Sequence, residues 1–184
     1  MKFKTAGGKG DRRRPEDNEK YNDNYDRIFG GDSFSSNGAA LHQPVEIDFD
    51  TICRAHIKKE EGYRTNTYFC TQGLLTGGYG HKVLPNEPVP TSREGWEELF
   101  DKDYLTAKTG AMKLITSVVK PAALGIVTEM VYQMGYTGVS KFKKMLKAVN
   151  AGDYKTASVE MLDSLWAKQT PQRAKRMSKR MQNI

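Results

Sequence analysis

The chain has 184 residues, enough for one folded domain with or without an appendage. Apolar residues make up 38% of it, no apolar run reaches the roughly 18 residues of a membrane span, and the opening Met1-Lys2-Phe3-Lys4 lacks the apolar stretch of a secretion signal. The net charge of +7 favours an anionic partner (nucleic acid, a membrane surface or a bacterial wall polymer) without choosing among them.

Residues 1–44 are rich in Gly, Asn, Asp, Ser and Arg and offer little to bury, so they read as a flexible N-terminal extension. One stretch, Asn24-Tyr25-Asp26-Arg27-Ile28-Phe29, has enough apolar content to dock as a turn of helix. The extension is either a tether to a virion partner or a solvated tail. Residues 1–45 carry 8 Lys/Arg against 7 Asp/Glu, whereas 46–184 carry 21 against 15. The basic excess therefore belongs to the later part.

The folded part, 45–184, opens on a helix. Phe49, Ile52, Cys53, His56 and Ile57 recur on one helical face. Asp48 or Asp50 can cap its start, because a short carboxylate accepts from the first-turn amides. Gly62 ends it. Between Tyr63 and Val83, aromatic and β-branched residues broken by glycines predict a small antiparallel hairpin sheet. Pro85, Pro88 and Pro90 form a stiff connector. Thr91 or Ser92 caps the next helix, which carries Trp96, Leu99, Phe100 and Tyr104; Thr91-x-x-Glu94 fits a capping box and Ser92-x-x-Gly95 does not. Helical segments follow at about 107–117, 121–134, 138–149, 153–164 and 171–182. Gly135, Gly138 and Gly152 sit where helices stop, and Pro121 and Pro171 sit near helix starts. The expected fold class is α+β: a small sheet lobe beside a larger helical lobe, with a cleft between them next to the end of the first helix.

Two cysteines, Cys53 and Cys70, are too few for a disulfide framework, and no Cys/His spacing reads as a zinc site. No cofactor is implied. The residues that carry chemistry are Glu61, Cys70 and Thr76, spaced Glu-x8-Cys-x5-Thr. A carboxyl at the mouth of a cleft can be kept protonated by partial burial and can donate to a leaving-group oxygen. A lone Glu at a helix end is usually a solvated charge, so its neighbours must decide.

Glu61-Gly62-Tyr63-Arg64, Tyr68, Cys70-Thr71, Gly73, Thr76 and Gly78-Tyr79-Gly80-His81 together resemble the active-site stretch of the phage-type lysozymes, whose pattern is Glu-x8-Asp/Cys-x5-Thr. Two further blocks agree in order: Val131-Tyr132-Gln133-Met134-Gly135 with Thr137-Gly138-Val139 and Phe142, and Trp166 with Gln169-Thr170-Pro171 and Arg173-Ala174-Lys175-Arg176. The resemblance runs from about Ile52 to Met181 and is weakest from Leu84 to Thr128.

It implies a lysozyme-like fold and a muramidase, an endolysin-type enzyme cutting the β-1,4 bond from N-acetylmuramic acid to N-acetylglucosamine. Glu61 matches the general acid and Thr76 the hydroxyl that helps hold water. Tyr132, Lys82 and His81 fall at positions that line or support the sugar cleft, with a core role for Tyr132 and a structural role for His81 as the plainer accounts. Arg173 matches the arginine that pairs with the catalytic glutamate. Cys70 stands where many members carry Asp, so it acts as a base, a nucleophile or a packed thiol.

Three other functions compete: a lytic transglycosylase on the same fold, a non-catalytic wall-binding virion component, and a nucleic-acid binder. The last rests on Lys168, Arg173, Lys175, Arg176, Lys179 and Arg180, a stripe that an anionic wall satisfies as well. The expected location is the host cytoplasm, with holin-dependent release, or the virion.

Overall fold

The computed structural model describes residues 48–70 and 73–184. The expectations for 1–44, including the helical turn at Asn24–Phe29, lie outside the described residues. The first helix, α1 (Phe49–Glu61), starts where the sequence puts it: Asp48 is the N-cap and its Oδ1 accepts from the Asp50 amide at 3.0 Å. It stops at Gly62, whose φ of 68° few other residues adopt. Three strands follow, β1 (Arg64–Phe69), β2 (Leu75–Gly78) and β3 (His81–Lys82), as an antiparallel sheet in the order β1-β2-β3. Arg64 pairs with Gly78, Tyr68 with Thr76 and Phe69 with Leu75; Thr76 also faces Lys82 across β2 and β3.

Beyond the proline connector the chain is helical: α2 (Arg93–Leu114), α3 (Pro121–Val139), α4 (Lys143–Asn150), α5 (Tyr154–Leu162), α6 (Leu165–Gln169) and α7 (Pro171–Gln182). The architecture is α+β and mainly helical, with a lysozyme-like arrangement of a small sheet and a helical bundle.

Of the two candidate caps of α2 the structure uses Ser92, whose hydroxyl accepts from the Gly95 amide at 3.2 Å. Three details differ from the sequence reading. The segments expected before and after residue 107 are one continuous helix of 22 residues. Gly110 does not break it, because α3 packs there: a side-chain Cβ at Gly110 would lie 3.1 Å from Val131 Cγ1. In α3 the break falls at Gly135 (φ 73°), and Gly138 sits in the short helical turn beyond it. The short α6 was not foreseen, although Ser164 caps it by accepting from the Ala167 amide.

The long α2 joins the two parts. Its first half lies on the sheet, where Trp96, 2% exposed, fills the space left by Gly77 and Gly78. A Cβ at Gly77 would stand 2.4 Å from Trp96 Cη2, so the indole can lie flat on β2 only over glycine. Gly77→Ala is therefore expected to cost about 1–3 kcal/mol by overpacking, read as a lowered urea midpoint; an unchanged midpoint would show that the ring can move aside.

One apolar cluster (Cys53, Ile57, Tyr79, Phe100, Tyr104) lies between α1, α2 and the sheet. A larger one, with Met130, Met145, Met161 and Met181 fully buried, fills the helical part. Tyr132 packs against both. His56, expected on the apolar face of α1, is half-buried beside an ion pair: Glu129 of α3, 8% exposed, accepts from Arg180 of α7 at 3.0 and 2.5 Å and lies 3.2 Å from His56 Nδ1. This cluster ties α1, α3 and α7 together. Among the described residues no helix is long and apolar enough to cross a membrane.

Candidate active site

Glu61 is the last residue of α1, and the positive φ of Gly62 turns the chain straight into β1. Its carboxylate therefore sits at the base of the hairpin, and a Cβ at Gly80 would lie 3.7 Å from Glu61 Oε2. Gly80, with φ of 87°, closes the turn between β2 and β3 by donating to the Gly77 carbonyl at 3.1 Å. From the helical side, Arg173 of α7 donates from Nη1 to Glu61 Oε1 at 2.8 Å. Glu61 keeps a quarter of its side chain exposed and Arg173 about a seventh (25% and 15%), so the pair is open to solvent on the glutamate side.

Cys70 follows β1 and closes the far end of the hairpin. Its amide donates to the Leu74 carbonyl at 2.9 Å, and its carbonyl accepts from Gly73 at 2.8 Å. Neither Cys70 nor Cys53 is in a disulfide. Thr76 stands in the central strand, 4% exposed, between Tyr68 and Lys82 of the flanking strands; its hydroxyl donates to the Leu74 carbonyl at 3.1 Å. Glu61 and Cys70 thus belong to opposite ends of one hairpin, with Thr76 on the strand between those ends.

Tyr132, from α3, donates its hydroxyl to the Tyr79 carbonyl at 3.2 Å, and its ring centroid is 5.7 Å from that of Phe100. Burial, then the charges of Asp103 and Glu61, push its phenol well above the ordinary range, so the hydroxyl is neutral. Lys82 is exposed on β3.

His81 has both ring nitrogens engaged: Nδ1 lies 2.8 Å from Asp103 Oδ2 and Nε2 lies 3.0 Å from Glu87 Oε2. Glu87 also accepts from the Leu84 amide at 2.8 Å, which locks the connector onto the ring. The hydrogen bond to Asp103 leads, and with Glu87 it outweighs burial to raise the imidazole to about 9. A folded pKa above the unfolded 6.5 stabilises the protein fully below pH 6.5, and that contribution disappears as pH rises through about 9. The expected result is a stability gap between wild type and His81→Gln on the order of 2–3 kcal/mol at pH 6 that closes by pH 10. Urea midpoints at the two pH values read it; a gap that is constant with pH contradicts the clamp.

Sequence reasoning named Glu61 and Arg173 but missed Glu60 and Arg176. Glu60 accepts from Arg173 Nε at 3.2 Å and from Arg176 Nε and Nη2 at 3.0 and 2.8 Å. The signal was present in Arg173-x-x-Arg176, two arginines three apart on one helical face. Chemically, the site offers a carboxyl able to hold or release a proton, a fixed cation beside it, and a strand hydroxyl and a thiol on the adjoining hairpin.

The phage lysozyme family model matches residues 58–183 of the chain. Probable T4-type lysozyme 2 of Dictyostelium discoideum is 29% identical over 150 residues, spanning 66% of this chain and 88% of that protein. The endolysin of Acyrthosiphon pisum secondary endosymbiont phage 1 is 29% identical over 112 residues, 61% of this chain and 75% of its own length. The pre-baseplate central spike protein Gp5 of Enterobacteria phage T4 is 30% identical over 152 residues; 66% of this chain matches only 26% of that longer protein.

Proposed function

The chain belongs to the phage lysozyme family and is a lysozyme-type peptidoglycan hydrolase, and from that premise we propose that it is a muramidase cutting the β-1,4 bond between N-acetylmuramic acid and N-acetylglucosamine. Glu61 protonates the glycosidic oxygen as the bond to the muramic acid carbon breaks. Water adds to that carbon, aided by the Thr76 hydroxyl, and gives up its proton to Cys70 acting as the thiolate. Tyr132 and Lys82 bind sugar along the hairpin side. His81, with both ring nitrogens taken, holds β3 and so positions Lys82.

The observation that supports this most is the placement of Glu61, at a helix end, over the Gly80 turn and in contact with Arg173. A partly exposed carboxyl beside a polar strand suits proton donation to a sugar oxygen, and the Arg173 contact fixes its position. The basic excess supports an anionic substrate: residues 105–184 hold 14 Lys/Arg against 4 Asp/Glu. The test is mass spectrometry of the muropeptides released from purified peptidoglycan. Reducing muramic acid ends support the reading, and 1,6-anhydromuramic ends replace it with a lytic transglycosylase.

Two biological roles fit a wall hydrolase of this family: release of progeny from the host cytoplasm, with a holin opening the membrane, and wall opening by the virion. Similarity to a phage spike protein favours the virion role, with residues 1–44 as a tether to a virion partner. Proteomics of purified virions decides between them.

A further inference from the structure

Glu61 is one of two carboxylates at the end of α1. Its neighbour Glu60 is 18% exposed and receives three hydrogen bonds from two arginines of α7. Arg173 is divided: its Nε goes to Glu60 at 3.2 Å and its Nη1 to Glu61 at 2.8 Å. Arg176 is not divided in this way; its Nε and Nη2 both go to Glu60. Burial raises Glu60, but the charge and hydrogen bonds of Arg176, then those of Arg173, outweigh it and hold the carboxyl below the ordinary range. The uncharged backbone of Gly80 also lies beside Glu61, and the Tyr132 phenol of α3, neutral, feels the charges of both Asp103 of α2 and Glu61.

This arrangement answers a problem in the chemistry. A general acid must keep its proton until the leaving oxygen takes it, yet a guanidinium at 2.8 Å favours the carboxylate. A second, ionised carboxylate on the same guanidinium works the other way, both by sharing its hydrogen-bond donors and by repelling negative charge on Glu61. We propose that Glu60 is a positioning residue of the hydrolase: gripped by Arg176, it takes up part of the Arg173 guanidinium and so limits how strongly that cation acts on the Glu61 carboxyl. This rests on the reading of Glu61 as the general acid.

The cluster makes predictions of opposite sign. Glu60→Gln leaves Arg173 to Glu61, and the alkaline limb of the muralytic pH profile moves down by about one pH unit, roughly a tenfold loss of rate at a pH on that limb. Glu60→Asp restores the charge and moves the limb back toward wild type. Arg176→Gln leaves Glu60 with Arg173 as its one remaining arginine, adds net negative charge beside Glu61, and moves the limb up. The experiment measures the full pH profile of each variant on purified peptidoglycan, with a urea midpoint at each pH to confirm folding. Limbs that stay in place, or move the same way in Glu60→Gln and Arg176→Gln, overturn the proposal. If Glu60→Gln does not fold, Arg176→Gln still decides: a limb that moves down or not at all overturns it. Glu61→Gln serves as the separate control, since retained activity there removes the general-acid reading itself and not merely its tuning.

Discussion

Glu61→Gln is expected to reduce muralytic turnover by a factor on the order of 10² to 10⁴, the usual contribution of a general acid. The amide keeps the shape of the side chain and can still accept the Arg173 hydrogen bond through its carbonyl oxygen, so what is lost is the transferable proton. The stability cost is expected to stay near 1 kcal/mol, because the ion pair it weakens is partly exposed to solvent on the glutamate side. Turnover and the urea midpoint should therefore separate, with a collapsed rate on an almost unchanged fold. A variant with near-wild-type turnover on purified peptidoglycan would remove Glu61 from the chemistry. Arg173→Lys then gives a second reading of the same contact. A lysine keeps the charge but cannot span Glu60 and Glu61 with separate donors, as Nε and Nη1 now do.

Local features of the fold were legible wherever local physics decides them. The Asp48 cap, the stop at Gly62, the Pro171 start of α7 and the turn at Gly80 depend on a few adjacent residues and their backbone preferences. The continuity of α2 through residue 107 was not legible in the residue pattern; in the structure α3 packs closely along it, so that a Cβ at Gly110 would lie 3.1 Å from Val131 Cγ1. The choice between Thr91 and Ser92 stayed open in the sequence because both are acceptable caps, and only the placement of Trp96 over Gly77 and Gly78 sets the register.

At the candidate site, the spacing of Glu61, Cys70 and Thr76 within 16 residues could be read along the chain. The partners that give Glu61 its electrostatic setting could not. Arg173 lies 112 positions away, and the link from Arg176 to Glu60 spans 116. Resemblance supplied Arg173; nothing in the residue pattern alone paired α7 with the end of α1. His81 shows the same limit. Its sequence context suggested a structural residue, but the double clamp by Asp103 and Glu87 needed both the long helix and the proline connector in place.

Cys70→Ala is expected to lose most muralytic activity, and Cys70→Asp to keep a substantial part of it. The reasoning starts from charge. A carboxylate at this point of the hairpin is a ready base near pH 7, whereas an ordinary cysteine thiol with pKa near 8.5 is largely protonated there. If the residue receives the proton of the attacking water or bonds to the sugar carbon, alanine can do neither and aspartate can do both. If Cys70 is only packed, alanine is harmless and aspartate costs stability. The two substitutions thus change places between the hypotheses. Thiol alkylation gives an independent measure, because Cys53 is a built-in control. It is 2% exposed, and its thiol donates to the Gly125 carbonyl at 3.3 Å. Burial, then the nearby Glu129 charge, pushes it up to about 12, so it is protonated and unreactive in the folded protein. An alkylating reagent should therefore modify Cys70 first and inactivate the enzyme, with a wall oligosaccharide slowing both events together, while Cys53→Ala stays sensitive to the reagent. Wild-type rates in Cys70→Ala, or full activity after stoichiometric alkylation of Cys70, would leave the chemistry to Glu61 and Thr76, with the strand hydroxyl alone orienting the water.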